Sequence, residues 1–439
     1  MNVWLVTIGE PLPLEPDVRR HRTGMLADVF LKQGHSVHWW TSAFEHQRKV
    51  MLFDQDRDIM QEDGLILHIL HGCGYSRNVS VQRYLDHRMI ARKFRASAQG
   101  MPPPDVVIAS MPCYHLACEA VHYAKKRQIP VFIDIRDLWP DIFVDRLRGR
   151  ILRRLGAAGL YFEFKRLQKT LSRADGLIAV SKSYLHWALR YAGRGVCASD
   201  HVFFLGCHRG RPDDIRCDLP PWLQGRERQK LFLFIGSFGV SYELGAILKA
   251  AKKMHLSGRD DVCFVIAGTG EQDGSLRMEA SGLPNVVFPG WINAAEISSL
   301  LKAGYAGLLP YVKDASQGIP NKPFEYLSAG LPLISSLEGE MADMINREGL
   351  GLFYPPGDSD SLIYAIEKLI DNKALHDEIS ANALSYFNAY GDAENIYRQY
   401  VRHIEAMHKN WYDVISNQRN NAKQNIENTS KIIGNRSLK

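Results

Sequence analysis

Twelve short apolar runs, separated by stretches of helical periodicity, constrain this chain more than any other feature. They are VWLVTI, SVHWWTS, LILHIL, DVVIAS, VFIDI, GLIAVS and HVFFLG, then LFLFIG, CFVIAG, VVFPG, AGLLPY and LPLISS. Continuous apolar runs suit strands buried on both faces, and helices between them suit parallel, doubly wound sheets. Twelve strands are better served by two such sheets than by one. At 439 residues the chain is also too long for one ordinary domain. The expected fold class is therefore α/β, with two doubly wound Rossmann-like domains facing each other across a cleft.

The polar, proline-bearing stretch 210–230 interrupts the alternation and marks a linker. The expected domains are 1–222 and 229–383. An amphipathic helix over 384–415, with Ile396, Tyr400, Ile404 and Met407 on one face, is expected to pack back on the first domain. The Asn-, Lys- and Ser-rich tail 416–439 has the composition of a disordered segment.

Composition excludes several classes. A formal net charge of +6 is too modest to imply nucleic acid. Seven scattered cysteines without a CxxC form neither a zinc knuckle nor a disulfide frame, so reduced thiols are expected. The start MNVWLVTIGE lacks the basic leader of a signal peptide, and no run of 18 apolar residues exists. The acidic DQDRD at 54–58 has Ile59 and Leu65 where a calcium loop needs glycine and glutamate. No HExxH and no Gly-x-Ser-x-Gly elbow occurs.

In doubly wound sheets ligands bind beyond the carboxyl ends of the strands, so residues just after strands are the candidates. After the first run come Glu10 and the basic Arg19, Arg20, His21 and Arg22, at a helix entrance suited to phosphate oxygens. A solvated basic turn explains them equally well. His115, Arg136 and Asp137 follow two further runs, and a His or Asp there could orient or deprotonate an acceptor hydroxyl. A structural role is the commoner one for a lone His. Gly236 with Gly239, and Gly268 with Gly270, allow backbone amides to approach a phosphate.

The stretch GIPNKPFEYLSAGLPLI, 318–334, places Glu325 in a short helix. Asn321 is a reasonable N-cap, Pro323 suits the first turn, and Gly330 fits a left-handed stop before Pro332. A different signal lies in 146–173, with nine basic residues against the single acid Glu163. Leu147, Ile151, Leu155, Ala158 and Phe162 fall on one face there, and Arg150, Arg153, Arg154 and Lys165 supply charge. Such a segment can lie on an anionic membrane surface or pack on a core with a solvated basic face.

The ordered set RDLWP, IGSFG, AGTGE, PGW and IPNKPFEYLSAGLPLISS resembles the retaining glycosyltransferases of family 4, of GT-B fold. The likeness covers nearly all of 1–410 and is strongest for the branch that builds bacterial surface polysaccharides. It implies a donor that is a nucleotide-diphosphate sugar, with a UDP-sugar favoured, and transfer with retained configuration. It implies no metal or other cofactor. By this resemblance Glu325 matches the second of two glutamates eight positions apart and holds the ribose hydroxyls. Lys322 supplies positive charge to the departing diphosphate, which takes the acceptor proton. Amides near Trp291 and Ile292 would contact the base. Amides of Gly236, Ser237 and Gly239, with Arg20 or Arg22, would support the diphosphate.

Two departures stand out. Gln317 occupies the first glutamate position, and the Arg and Lys of many relatives are absent from GSFGVSYELG. Donor selectivity would rest on Gln317, Gly318, Ile319, Pro320 and Asn321. The expected enzyme is a hexosyl- or N-acetylhexosaminyl-type transferase acting on a lipid-linked glycan at the cytoplasmic face of the plasma membrane, in O-antigen or capsule synthesis. A sugar-nucleotide 2-epimerase on the same fold, and a scaffold that has lost its chemistry, are the alternatives.

Overall fold

The structure, a computed structural model, describes residues 1–14, 18, 20–61, 63–145, 147, 149–209 and 220–436. The chain divides into two units, one of Met1–Val180, Tyr184–Phe203 and Tyr397–Lys439, the other of Ser181–Ser183 and Phe204–Ile396.

The first unit contains, in order, β1 (Asn2–Val6), α1 (Arg22–Lys32), β2 (Ser36–Ser42), β3 (Phe44–Glu45), β4 (Val50–Met51), β5 (Arg57–Met60) and β6 (Leu65–Leu70). There follow α2 (Val81–Ala98), β7 (Val106–Ser110), α3 (Tyr114–Arg127), β8 (Val131–Ile135), α4 (Asp141–Asp145), α5 (Arg150–Gly159) and α6 (Tyr161–Arg173). It ends with β9 (Gly176–Ala179), α7 (Lys182–Ala192) and β10 (His201–Val202). The eight-stranded sheet runs β10-β9-β8-β7-β1-β2-β6-β5, all parallel except β5, which pairs antiparallel with β6. β7, β8 and β9 are buried along their whole length, as their largely apolar sequences favour. The strand order reverses between β1 and β7, so a crevice opens at their carboxyl ends.

The second unit contains β11 (Lys230–Ile235), α8 (Leu244–Leu256), β12 (Val262–Ala267), α9 (Asp273–Glu279), β13 (Val286–Gly290), α10 (Ala294–Ala303) and β14 (Gly304–Leu309). Next come α11 (Lys322–Ser328), β15 (Leu333–Ser335), α12 (Glu340–Glu348), β16 (Gly351–Phe353), α13 (Ser359–Asp371) and α14 (Lys373–Tyr386). Its parallel sheet runs β13-β12-β11-β14-β15-β16, with the reversal between β11 and β14. Two apolar cores sandwich this sheet, one holding Phe324, Tyr326 and Leu327 of α11, the other Phe232, Phe264 and Ile247.

The last helix, α15 (Ala393–Arg436), begins in the second unit and from Tyr397 belongs to the first. Ile396, Tyr400 and Ile404 are buried, as their spacing predicts. The Tyr400 ring stacks on Phe203 at 4.7 Å. The helix continues through the stretch from Ser416 that composition predicts to be disordered; it holds no proline to stop propagation. Residues 437–439 lie outside the described ones.

Both sheets were legible as a set of strands, but three details differ. The β3–β4 hairpin, the polar edge strand β5 and the three-residue edge strand β16 carry too little apolar sequence to stand out. The first unit closes at Phe203, ahead of the expected linker, because Phe204 already packs on Phe324 at 5.5 Å. Residues 210–219 of that linker lie outside the described residues. The basic segment is not one continuous amphipathic helix: Leu160 leaves helical geometry between α5 and α6, so Phe162 does not continue the Ile151–Leu155 face.

Candidate functional site

The reversal between β11 and β14 brings two chain segments together, the glycine turn after β11 and the stretch 317–325 after β14. Gly236 has φ +153°, and a Cβ there would lie 1.8 Å from the Lys322 ammonium. The missing side chain is the space that Lys322 occupies. A Cβ on Gly268 would strike the Gly236 carbonyl at 1.9 Å, so the two glycine turns pack directly on each other.

Lys322 Nζ donates to the Ile235 carbonyl and lies 4.5 Å from the centroid of the Phe234 ring and 5.2 Å from that of Tyr242. Burial pushes its ammonium down to about 8, against the opposing pull of Glu325. Glu325 stands one turn further along α11. Its neighbour Tyr326 is fully buried and its hydroxyl accepts from the Ile235 amide at 3.0 Å, tying α11 to the end of β11. Gly330 adopts φ +72° and closes α11 as the sequence predicts.

Asn321 is helical rather than extended, so its side chain does not cap α11. That frees its carbonyl oxygen: among the described residues, Asn321 Oδ1 and Gln317 Oε1 are both buried without a hydrogen-bond partner. The amide of Gln317 donates instead to Ser241 Oγ at 3.4 Å. Two orphaned buried acceptors in one loop are costly unless a donor arrives. Hydroxyl groups of a ligand are donors of that kind.

Not every expected amide is available. Gly236 N–H is bonded to Ala267 O at 2.9 Å and Phe238 N–H to Thr269 O at 2.9 Å. The Gly268 amide is bonded to Gly290 O at 2.7 Å. Neither Ser237 nor Gly239 N–H takes part in those bonds, while a Cβ on Gly270 would press on the Phe238 backbone at 2.7 Å. Trp291 is 75% exposed and Ile292 is buried beneath it; Gly318 and Ile319 are buried and Pro320 half-buried.

In the first unit the structure reassigns four candidates. Arg22 is 3% exposed and donates to Asp134 through Nε at 2.9 Å and Nη2 at 2.9 Å, and to Phe203 O at 2.9 Å. Its guanidinium also lies 5.8 Å and 5.3 Å from the rings of Tyr397 and Tyr400 on α15. Burial would lower the Arg22 pKa, but the Asp134 charge overrides it and holds it raised. Arg136 closes the same network, bonding Asp134 at 2.6 Å, Thr23 Oγ1 at 3.0 Å and Glu10. Glu10 in turn accepts from the Thr23 amide and hydroxyl at the start of α1. These are internal ties rather than ligand contacts. His115 is buried on the first turn of α3, 3.3 Å from Glu163 of α6, and so holds two helices together instead of facing a crevice. Burial would raise the Glu163 carboxyl, but hydrogen bonds from His115 and Tyr84 outweigh it and hold it at about 2.

Arg20 is half-buried beside Asp28 at 3.7 Å, and Arg19 lies outside the described residues. Asp137 Oδ1 accepts from the Leu138 amide at 2.8 Å. Sequence reasoning missed the group that actually gathers near Asp137: His46, Lys49, Tyr75, Arg83 and Trp139. They come from three strand ends scattered along the chain, and no local motif joins them.

On α5, Ile151, Leu152 and Leu155 are 75%, 53% and 64% exposed, and Phe162 on α6 is 78% exposed. Arg150, Arg153 and Arg154 line a surface hollow of about 540 Å³ with Gly149 and Ala157. Arg153 also donates to Leu147 O at 3.0 Å and Asp145 O at 3.1 Å. Lys165 is exposed; Arg146 and Arg148 lie outside the described residues. Among the described residues no helix is long and apolar enough to cross a membrane, and no cluster of His, Cys, Asp and Glu is placed to hold a metal ion.

Comparison with known proteins fits this architecture. Residues 229–372, the body of the second unit, match the family model described as Glycosyl transferases group 1. The O-antigen chain mannosyltransferase C of Escherichia coli is 29% identical over 174 residues, 39% of this chain and 45% of that protein. The phosphatidyl-myo-inositol mannosyltransferase of Mycobacterium leprae is 26% identical over 47% of this chain and 52% of its own. The chain thus spans about half the length of these curated relatives. Among solved structures, HepE of Anabaena in complex with UDP superposes with a TM-score of 0.64 at 14% identity, over 92% of this chain and 99% of its own. WaaG, described as a glycosyltransferase involved in lipopolysaccharide biosynthesis, gives 0.60 at 15% identity over 90% and 98%. The α/β fold with two Rossmann-like sheets is the GT-B fold of these neighbours.

Proposed function

We propose that this protein is a glycosyltransferase that takes a sugar from a nucleotide-diphosphate donor, a UDP-sugar by preference, and passes it with retained configuration to a lipid-linked glycan in cell-surface polysaccharide synthesis. The observation that carries the reading is the cradle after β11 and β14. It combines a lysine seated under a glycine turn, a carboxylate one turn away, and two buried carbonyl oxygens without partners.

In this reading the Lys322 ammonium faces the diphosphate and stabilises the charge that grows there as the sugar–phosphate bond breaks. Glu325 accepts hydrogen bonds from the ribose diol. Gln317 and Asn321 accept from sugar hydroxyls; Gln317 thereby does a hydrogen-bonding task without the charge of a glutamate. The leaving diphosphate takes the proton of the acceptor hydroxyl, so no separate base is needed for that hydroxyl, and the cation is supplied by the protein rather than by a metal. The match of 229–372 to a glycosyltransferase family and the UDP complex of a structural neighbour support the donor class.

Titration calorimetry with UDP, GDP, ADP and their hexose conjugates tests the donor half. Glu325→Ala is expected to weaken donor binding by about 10- to 100-fold, the worth of one or two charge-assisted hydrogen bonds. Unchanged affinity in that variant, or no nucleotide binding by the wild type, would remove the reading. Donor consumed and epimerised with no acceptor present would favour the 2-epimerase instead.

The exposed apolar residues of α5, flanked by arginines, support a peripheral site on an anionic inner-membrane surface. Arg150→Glu with Arg154→Glu leaves the helix-terminating contacts of Arg153 intact. At about 1 kcal/mol per basic residue, with each charge also reversed, the pair is expected to weaken binding to phosphatidylglycerol vesicles by roughly 100-fold or more. Wild-type co-sedimentation of that double variant would show that α5 is not the contact.

A further inference from the structure

The carboxyl ends of β2, β6 and β8 gather a second group of charges, far in sequence from Lys322. The β3–β4 hairpin after β2 contributes His46 and Lys49. The loop after β6 contributes Tyr75 and Asn78, α2 contributes Arg83, and the turn after β8 contributes Asp137 and Trp139. Lys49 sits in the left-handed region at φ 57°, a conformation a lysine rarely adopts and one that collects at functional sites. Its ammonium reaches Asn78 Oδ1 at 2.6 Å and His46 Nδ1 at 3.2 Å, and lies 4.9 Å from the centroid of the Tyr75 ring. The Arg83 guanidinium lies over the same ring at 5.2 Å and over Trp139 at 4.3 Å, with one N–H bonded to Asn78 O at 2.8 Å.

Tyr75 OH lies 2.7 Å from the same His46 Nδ1 that faces Lys49. With the lysine donating to it, that nitrogen can only accept, so the proton of the neutral ring is on Nε2. Burial, then the Arg83 and Lys49 charges, push His46 down to about 4. Burial and Arg83 likewise lower Lys49. Among the described residues neither cation has a carboxylate oxygen within 4.0 Å; Asp137 acts on Arg83 only from further away. Two cations are thus held on aromatic rings, close enough to repel, without a direct counter-ion. Such a group is completed by a compact anion with several acceptor oxygens.

We propose that Lys49, Arg83 and the His46 Nε2–H bind a phosphate or diphosphate group on the acceptor. This deepens the transferase reading by naming the acceptor's chemical class, and it rests on that reading. The site sits where ligands of doubly wound sheets bind, beyond the strand ends.

Binding to the full-length protein, with UDP in excess to fill the donor cradle, tests it with three probes: inorganic pyrophosphate, farnesyl diphosphate and farnesol. Lys49→Asn keeps the left-handed backbone available, and Arg83→Gln removes the second cation. Each is expected to weaken both diphosphates by about tenfold or more, as loss of a charge-assisted hydrogen bond does, while UDP binding changes by less than about twofold on the same scale. Circular dichroism controls for folding, and Lys49→Asn, at a half-exposed hairpin tip, keeps the test alive if Arg83→Gln does not fold. Farnesyl diphosphate binding more tightly than pyrophosphate places the anion on a lipid; equal affinities place it on a soluble phosphate ester. Diphosphate binding that is unchanged in both variants, matched by farnesol, or absent from the wild type overturns the site. Nucleotide binding that survives such a result would leave the donor half standing, so the two failures are separable.

Discussion

Replacing Lys322 by methionine is expected to lower kcat for sugar transfer by about 10²- to 10³-fold, the cost of removing one preorganised charge from a transition state. Methionine keeps most of the volume that Lys322 fills over Phe234 and under Gly236, so folding should survive. The effect falls on kcat because the charge on the diphosphate grows as the glycosidic bond breaks, and only interactions stronger in the transition state raise kcat. The wild type carries its own control. Burial sets the Lys322 ammonium at about 8, so it is charged below that pH and neutral above it. The kcat/KM for donor should therefore fall about tenfold per unit as pH rises past roughly 8, and Lys322→Met should lose that limb of the profile. A methionine variant with wild-type kcat, or one that keeps the alkaline limb, would mean that the ammonium does not face the reacting diphosphate.

The largest effect on stability is expected from Arg22→Leu. That change removes a charge from a buried pair and leaves Asp134, fully buried, with Arg136 alone. It also strips the hydrogen bond from Phe203 O and the cation from the rings of Tyr397 and Tyr400. Breaking a buried pair on one side costs about 3–5 kcal/mol, and the remaining Arg136 contact argues for the lower end. Urea unfolding followed by tryptophan fluorescence reads the loss, since Trp4, Trp39 and Trp40 all lie in the core of the first unit. A midpoint that does not move would show that the network contributes specificity and no stability. Acid should reproduce the loss. Burial would raise the Asp134 carboxyl, but the Arg22 and Arg136 charges override it and hold it below its ordinary value. Its contribution is therefore complete above that ordinary value, near 3.8, and disappears as pH falls through the depressed one.

What the sequence revealed and what it hid divide along a physical line. Strands buried on both faces write themselves as apolar runs, and every one of the twelve runs contributes to a strand. The proposed donor cradle could be drawn from the sequence because Gln317 to Glu325 lie within one short stretch, where helix punctuation and candidate chemistry share the same residues. The first unit misled because charge after a strand looks the same whether it meets a ligand or another side chain. Asp134 decides the matter for Arg22 and Arg136, and it hides in the middle of VFIDI, an otherwise apolar strand. The Lys49–Arg83 group was invisible for the opposite reason. Its members are spread from His46 to Trp139, and only the parallel sheet, which sets the ends of β2, β6 and β8 on one edge, assembles them.

The return of α15 to the first unit has a practical consequence for taking the molecule apart. A fragment cut after Phe203 carries every strand of the first sheet, yet lacks the two tyrosines that roof Arg22 and the buried Ile404. The first Rossmann-like half is therefore not encoded by any uninterrupted stretch of gene. To obtain it in isolation, the segment from Tyr397 onward must be fused behind residue 203 or added back as a peptide.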